Sequence, residues 1–421
     1  MTVFALIDGN SFYCSCERVF DPTLAKRPVI VLSNGDGCAV ARTPEAKALG
    51  IRMGQPWFQM RDLCRTHKVA VLSSNYALYG DMSARMNEVY RLFSPAIEVY
   101  SIDESFLDLS GLGGTDLVTH ARELRATVRQ WTGIPTCVGV GPTKTLAKLA
   151  NWVAKHDPER GGVCDFRDEA ARLPVMAKIP VTEVWGMGSA SVGKLEALGC
   201  RTAADLARLD PALARRLLTV VGERIVWELR GTSCLPLEEV APQRKGCAVT
   251  RNFAGRVEDL PTLQEAVAAH TARLAEKLRH HGLATDALTV FFHTSTHDQG
   301  PQHAASRTVT LPEATNDTLA LIRAARAAVA AIWRPGHRYS KAGVMTMSLI
   351  RAEDAAPPLF DGLDRERSAR LMGALDAVNA RWGRGTLLPA STGLKRPWAT
   401  RFEHRSPRYT TRLDELPRAR A

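Results

Sequence analysis

The stretch Tyr100-Ser101-Ile102-Asp103-Glu104-Ser105-Phe106 sets two adjacent carboxylates inside an apolar, strand-like run. Side chains of a regular strand alternate between faces, so neighbours do not normally serve one site. Two acids in sequence therefore predict a tight turn or bulge where both converge, with a cation to offset their repulsion. A third acid has a similar setting: Val3-Phe4-Ala5-Leu6-Ile7 reads as a buried strand ending at Asp8, followed by Gly9-Asn10-Ser11-Phe12-Tyr13. Asp8, Asp103 and Glu104 together fit a two-metal site for phosphoryl transfer, and hard oxygen ligands favour two Mg²⁺ ions. Taken alone, the same acids also suit ordinary strand ends and turns.

A second stretch bears on the same chemistry. Gly139-Val140-Gly141-Pro142-Thr143-Lys144-Thr145-Leu146-Ala147-Lys148 reads as a strand, a glycine-containing turn and a helix start. Backbone donors and the Lys144 ammonium at such a turn can hold a triphosphate, although the Walker A spacing is absent. Lys148, one turn on, reads more simply as a solvated helix residue. Arg42 and Lys47 flank another turn and helix, and each suits a phosphate contact or a surface charge.

The 421 residues exceed one ordinary core and predict two to four domains. No apolar run approaches the roughly 18 residues of a membrane span, and the N-terminus lacks the basic segment of a secretory signal. Nine cysteines, an odd number without CxxC pairs, point to free thiols in a reducing compartment; Cys14 and Cys16 fall on an early helix. The formal charge of +11 points to a polyanionic partner. From Arg381 onward ten Lys/Arg face three Asp/Glu, which in isolation is a solvated basic tail with no clear amphipathic helix for a membrane.

Strands and helices alternate up to about Phe166: strands at Val29–Leu32, around the acidic pair and at Thr136–Val140, helices at Thr43–Leu49, Asp116–Trp131 and Thr143–Ala154. Short helices with glycine punctuation follow from Pro174 to Gly231. The turn at Val184-Trp185-Gly186-Met187-Gly188 suits either phosphate binding or plain helix capping. After a linker around Leu235–Lys245, a β-α-β-β-α-β order runs from Cys247 to Leu349, as in a split-βαβ sheet. The patterning beyond Arg351 is less regular.

D-x-N-x-F-Y at Asp8–Tyr13, S-I-D-E-S-F at Ser101–Phe106 and G-V-G-x-T-K-T-L-A-K at Gly139–Lys148 resemble the motif set of Y-family translesion DNA polymerases. Leu32–Cys38, Ser73–Tyr76 and Ser406–Arg412 resemble the UmuC branch in particular, and the likeness covers essentially the whole chain. It implies an α+β, multidomain, right-hand-like polymerase. Residues 1–170 would form a palm with fingers inserted at about 20–80, residues 171–236 a small helical thumb, 243–351 a split-βαβ little-finger domain and 352–421 a basic C-terminal tail. The implied activity is error-prone addition of dNTPs to a primer opposite damaged bases, in SOS repair and mutagenesis in the bacterial cytoplasm.

The resemblance also implies roles. Asp8, Asp103 and Glu104 become the palm acids, the first two the firmer metal ligands, with the Gly9 carbonyl completing a shell. Tyr13 becomes a steric gate against a 2′-hydroxyl. Lys47 and Lys144 hold the incoming triphosphate; Pro44 stands where many relatives have a tyrosine, and Arg42 is the candidate to replace that contact. Gly186 and Gly188 of the thumb turn and Lys245, Arg251, Arg307 and Lys341 become sequence-independent, salt-sensitive contacts to primer–template DNA. Expected partners are a UmuD′ dimer, the RecA filament and a sliding clamp met through Leu359-Phe360, a segment equally suited to an ordinary loop because Ala356 replaces the usual glutamine. Alternatives are a catalytically silent DNA-binding scaffold and a DinB-type polymerase working without UmuD′.

Overall fold

Ala5, Leu6 and Ile7 are all buried, as a strand covered on both faces requires. They lie in β1 (Phe4–Gly9) of a computed structural model that describes residues 2–240, 243–356, 364–400 and 402–416. The chain continues through α1 (Phe12–Phe20), β2 (Val29–Leu32), β3 (Ala39–Arg42), α2 (Pro44–Ala48), α3 (Trp57–Thr66), β4 (Ala70–Ser73) and α4 (Tyr76–Tyr90). Then come β5 (Ile97–Val99), β6 (Glu104–Asp108), α5 (Leu117–Thr132), β7 (Thr136–Gly141), α6 (Lys144–His156) and β8 (Val163–Asp165). One sheet has the order β5-β6-β1-β7-β8, and a smaller one has the order β3-β2-β4 with its own core around Ile30, Leu32, Met60 and Cys64.

Four helices follow: α7 (Glu169–Met176), α8 (Ser189–Glu196), α9 (Ala203–Arg208) and α10 (Pro211–Leu229). Their apolar faces share a core with α6 through Leu146, Leu149 and Val153. All of this, with residues 404–416, forms the first of two compact units.

The second unit comprises Asn34–Gly37 and, of the described residues, 243–356, 364–400 and 402–403. It holds β9 (Cys247–Val257), α11 (Leu260–His280), β10 (Leu283–Thr294), β11 (Ala304–Thr315), α12 (Thr318–Ile332) and β12 (Tyr339–Thr346), the β-α-β-β-α-β order expected from periodicity. The sheet order is β11-β10-β12-β9, with the short β13 (Ile350–Arg351) pairing to β10. Leu288, Val290 and Phe292 face the helices and build the core.

The region beyond Arg351 is more ordered than its patterning predicts. An 18-residue helix, α13 (Arg365–Trp382), buries only Met372, so it carries almost no apolar periodicity to read. Trp398 is buried in the second unit's core. Residues 404–416 are not a free basic tail but pack on the first unit. Ser73 N–H donates to the His404 carbonyl (3.0 Å). The Asn75 amide donates to the carbonyls of Ser406 (3.1 Å) and Pro407 (3.0 Å), and Tyr409 stacks on Phe20. Leu359 and Phe360 lie outside the described residues. All nine cysteines are free thiols, and among the described residues no helix is long and apolar enough to cross a membrane.

Candidate active site

β1 pairs antiparallel with β6, and the register sets Asp8 directly opposite Glu104. Cross-strand partners share a face, so two of the three acids converge by register alone. Asp103 arrives by the other expected route, a tight turn: Tyr100 and Ser101 N–H groups both donate to the Glu104 carbonyl (3.1 and 3.0 Å). The Ser101 hydroxyl fixes this turn, accepting from the N–H groups of Asp103 (3.2 Å) and Glu104 (3.0 Å) and donating to Asp103 Oδ1 (2.6 Å). Gly9 N–H donates to the Asp103 carbonyl (2.9 Å), which ties the turn to the end of β1.

α6 supplies the counter-charges. A Cβ on Gly139 would stand 2.1 Å from Asn151 N and 2.2 Å from the Ala147 carbonyl oxygen, so only glycine lets α6 lie this close to β7. Asn151 locks the approach by donating to the carbonyls of Leu6 (3.2 Å) and Cys137 (2.8 Å). Lys144, Lys148, Asn151 and Lys155, spaced by four, three and four, form one helical stripe. Its three ammonium groups pair respectively with Glu98, Glu104 (2.8 Å) and Asp8.

In this ladder Lys144 is committed to a buried pair. It is 3% exposed and bound to Glu98, whose carboxylate also accepts from Glu238 N–H (2.7 Å). The helix N-terminus beside it is already satisfied: Thr143 Oγ1 accepts from Leu146 N–H, and Glu228 accepts from Thr145 N–H (3.0 Å) and from the Thr143 hydroxyl (2.9 Å). The glycines of Gly139-Val140-Gly141 seat a helix on a strand.

A pocket of about 260 Å³ opens at the other end of α6. Asp8, Gly9, Tyr13, Arg42, Lys47 and Asp103 line it, together with Lys155, which the sequence analysis does not single out. The spacing of the α6 stripe was the available signal for Lys155; it shows the shared helix face but not which end meets the acids. Glu104, held by Lys148, and Lys144 are not among the lining residues.

Burial pushes the Asp8 carboxyl up to about 7 against the opposing pull of Lys155, and the charges of Glu104 and Asp103 add to the rise. Lys47 is lowered by burial and then by the neighbouring Arg42 and Lys155, so three cations crowd one wall. Arg42 is aimed by its own bond to the Ile51 carbonyl (2.8 Å) and leaves a buried Nε without a protein partner. Ser11 at φ +47° starts α1 and turns Tyr13 into the pocket. The Tyr13 ring stacks on Tyr79 (4.4 Å, 13°) and meets Tyr76 edge-on (5.9 Å), and burial pushes its phenol up to about 12.

Among the described residues no group of three His, Cys, Asp or Glu side chains is gathered closely enough to hold a metal. The donor chemistry nevertheless fits a hard cation: two carboxylates and Gly9 line one pocket.

The expected DNA contacts are less gathered. Gly186 takes φ +83°, a conformation that favours glycine, and Gly188 caps α8. Lys245 is exposed. Arg251 and Arg307 pair in register with Ala342 and Val290, residues of the helix-covered face, and sit on opposite outer strands. Lys341, opposite His293 and Asn252, occupies the open face.

The impB/mucB/samB family profile matches residues 7–151 and the family's C-terminal domain matches residues 244–358. Protein ImpB of Salmonella typhimurium is 44% identical over 425 residues, covering 99% of this chain and all of that one. The chain belongs to the impB/mucB/samB family, the UmuC-type Y-family DNA polymerases. Protein UmuC of Salmonella typhimurium is likewise 44% identical over 422 residues, covering 99% and 100% of the two chains. DNA polymerase IV of Moorella thermoacetica is 31% identical, with 90% and 93% covered. A solved Y-family polymerase chimera of Dbh and Dpo4 covers 83% of this chain and 99% of its own, with a TM-score of 0.66 at 18% identity, which shows the shared right-hand-like α+β fold. Polymerases of this family depend on metal ions. A domain of unknown function, DUF4113, matches residues 369–419, the region that includes most of α13 and the segment packed on the first unit.

Proposed function

We propose that the chain adds dNTPs to a primer opposite damaged template bases, as the catalytic subunit of an SOS mutagenesis polymerase in the bacterial cytoplasm. The observation that carries this reading is a single pocket holding Asp8, Asp103 and Gly9, the Tyr13 ring, and the cations Arg42, Lys47 and Lys155. That pattern complements a nucleoside triphosphate with its metal ions, including the sugar.

In this reading Asp8 and Asp103, with the Gly9 carbonyl, hold two Mg²⁺, and Glu104 is the further acid of the site. When bound, the ions neutralise charge at the reacting phosphate and favour attack by the primer 3′-hydroxyl. Arg42, Lys47 and Lys155 take the triphosphate, and a polyanion beside them relieves the crowding that, after burial, lowers Lys47. Tyr13 presents its ring to the sugar C2′ and leaves no room for a 2′-hydroxyl.

The Gly186–Gly188 turn, Lys245 and the open-face Lys341 are the proposed contacts to the backbone of primer–template DNA. Partnership with a UmuD′ dimer and a RecA filament is proposed from the resemblance to the UmuC branch. A sliding-clamp contact through Leu359-Phe360 belongs to the same proposal.

Primer extension on undamaged and abasic templates, with and without UmuD′, tests the reading. Extension past the abasic site that is strengthened by UmuD′ is the expected result. DNA binding without extension in any combination would make the chain a scaffold.

A further inference from the structure

Glu17, on α1 one turn after Tyr13, is a carboxyl group only 1% exposed. Its Oε1 accepts two hydroxyl bonds, from Tyr79 at 2.6 Å and from Ser406 at 3.0 Å. Burial raises its pKa, and the two hydroxyl donors oppose that rise. Ser406 comes from 389 residues farther along the chain. Its hydroxyl is aimed by Asn75, whose buried amide donates to Ser406 Oγ (2.9 Å) and to both backbone carbonyls that follow. The relay thus runs from Asn75 through Ser406 to Glu17 and Tyr79. It ends at the pocket, because the fully buried Tyr79 ring is the surface on which the Tyr13 ring stacks.

We infer that the C-terminal segment bearing Ser406 is a positioning element for Tyr13: through Glu17 and Tyr79 it fixes the platform against which the sugar gate rests. The inference depends on Tyr13 being that gate. A gate works by exclusion at van der Waals contact, so a displacement of a few tenths of an ångström is enough to weaken it. Removing the Ser406 hydroxyl leaves the buried Glu17 with the Tyr79 hydroxyl alone, and Tyr79 follows the carboxylate as it seeks another donor. A tail that merely adds stability would lower activity with deoxy- and ribonucleotides alike. A tail that holds the gate changes their ratio.

The test is the ratio of kcat/KM for a dNTP to that for the matching rNTP in primer extension by the full chain, with Tyr13→Ala as the reference. Ser406→Ala is expected to lower the ratio about threefold to tenfold, the scale of one ordinary hydrogen bond. Its dNTP turnover stays within about twofold of the parent, and Ser406→Thr, which keeps the hydroxyl, restores the ratio. Tyr409→Ala, which removes the tail's stack on Phe20 (4.7 Å) and keeps the Ser406 hydroxyl, moves the ratio in the same direction. In Tyr13→Ala the added Ser406→Ala has no further effect. If Tyr13→Ala collapses the ratio while Ser406→Ala and Tyr409→Ala leave it unchanged, the tail does not position the gate. If Tyr13→Ala itself changes nothing, the gate reading fails first, and this inference fails with it.

Discussion

Asp8 of β1 and Glu104 of β6 are direct cross-strand partners, yet each carboxylate is held by a different lysine of α6, Lys155 and Lys148. The acids and their counter-charges are thus set by two independent devices, strand register and helix spacing. Lys155 stands at the pocket end of that stripe and Lys144 at the buried end.

Those two lysines should behave oppositely. Lys155→Ala is expected to raise the KM for dNTPs about tenfold or more, the scale of a lost charge-assisted phosphate contact. Lys144→Ala leaves Glu98 buried without its partner and should cost about 3–5 kcal/mol of folding stability. Urea unfolding beside steady-state kinetics separates the two. A Lys144→Ala protein of normal stability with a raised KM would place Lys144 at the triphosphate after all.

Glycines expected to share phosphate chemistry should also part company. Gly139→Ala drives a Cβ into the α6 backbone and is expected to lose several kcal/mol, about the cost of a severe overpacking, or to yield insoluble protein. Gly188→Ala meets nothing within 4 Å at φ −77° and should fold normally. Thermal melts of the two variants check this contrast; equal stability would contradict the close packing of α6 on β7.

The order of elements in the second unit was legible because α11, α12 and their strands bury regular apolar faces. The Asp103-Glu104 pair was legible because adjacent carboxylates conflict with strand alternation. Gly139-Val140-Gly141-Pro142-Thr143-Lys144 misled because glycines beside a helix start fit two physical needs, donors for a phosphate or room for a helix. Only the position of Asn151 decides between them. The tail was opaque for another reason: residues 404–416 are held by side chains such as Asn75 and Glu17, more than 300 positions away, and such contacts leave no period in the sequence.

The second unit should lose stability in mild acid. His270 is buried with both ring nitrogens unpartnered, and burial, followed by the charge of Arg251, lowers its pKa from 6.5 to about 4. The unfolded chain therefore binds the proton more readily below pH 6.5. Stability should be constant in this respect above that pH and fall by up to about 1.4 kcal/mol per pH unit between 6.5 and 4. Melts of the full chain against His270→Leu check the sign: the stability of the parent minus that of the variant should fall as the pH falls. A parent protein as stable at pH 4.5 as at pH 7, relative to the variant, would contradict the burial of a neutral imidazole.

The pocket of Asp8 and Asp103 is the proposed nucleotidyl-transfer site. The direct measurement is single-turnover primer extension in Mg²⁺ by the parent chain and by Asp103→Ala, with DNA affinity measured on the same preparations. The account predicts extension lowered by roughly 10³-fold or more, the scale of several kcal/mol of lost transition-state stabilisation, with DNA binding retained. Extension by Asp103→Ala at a rate near that of the parent would contradict it.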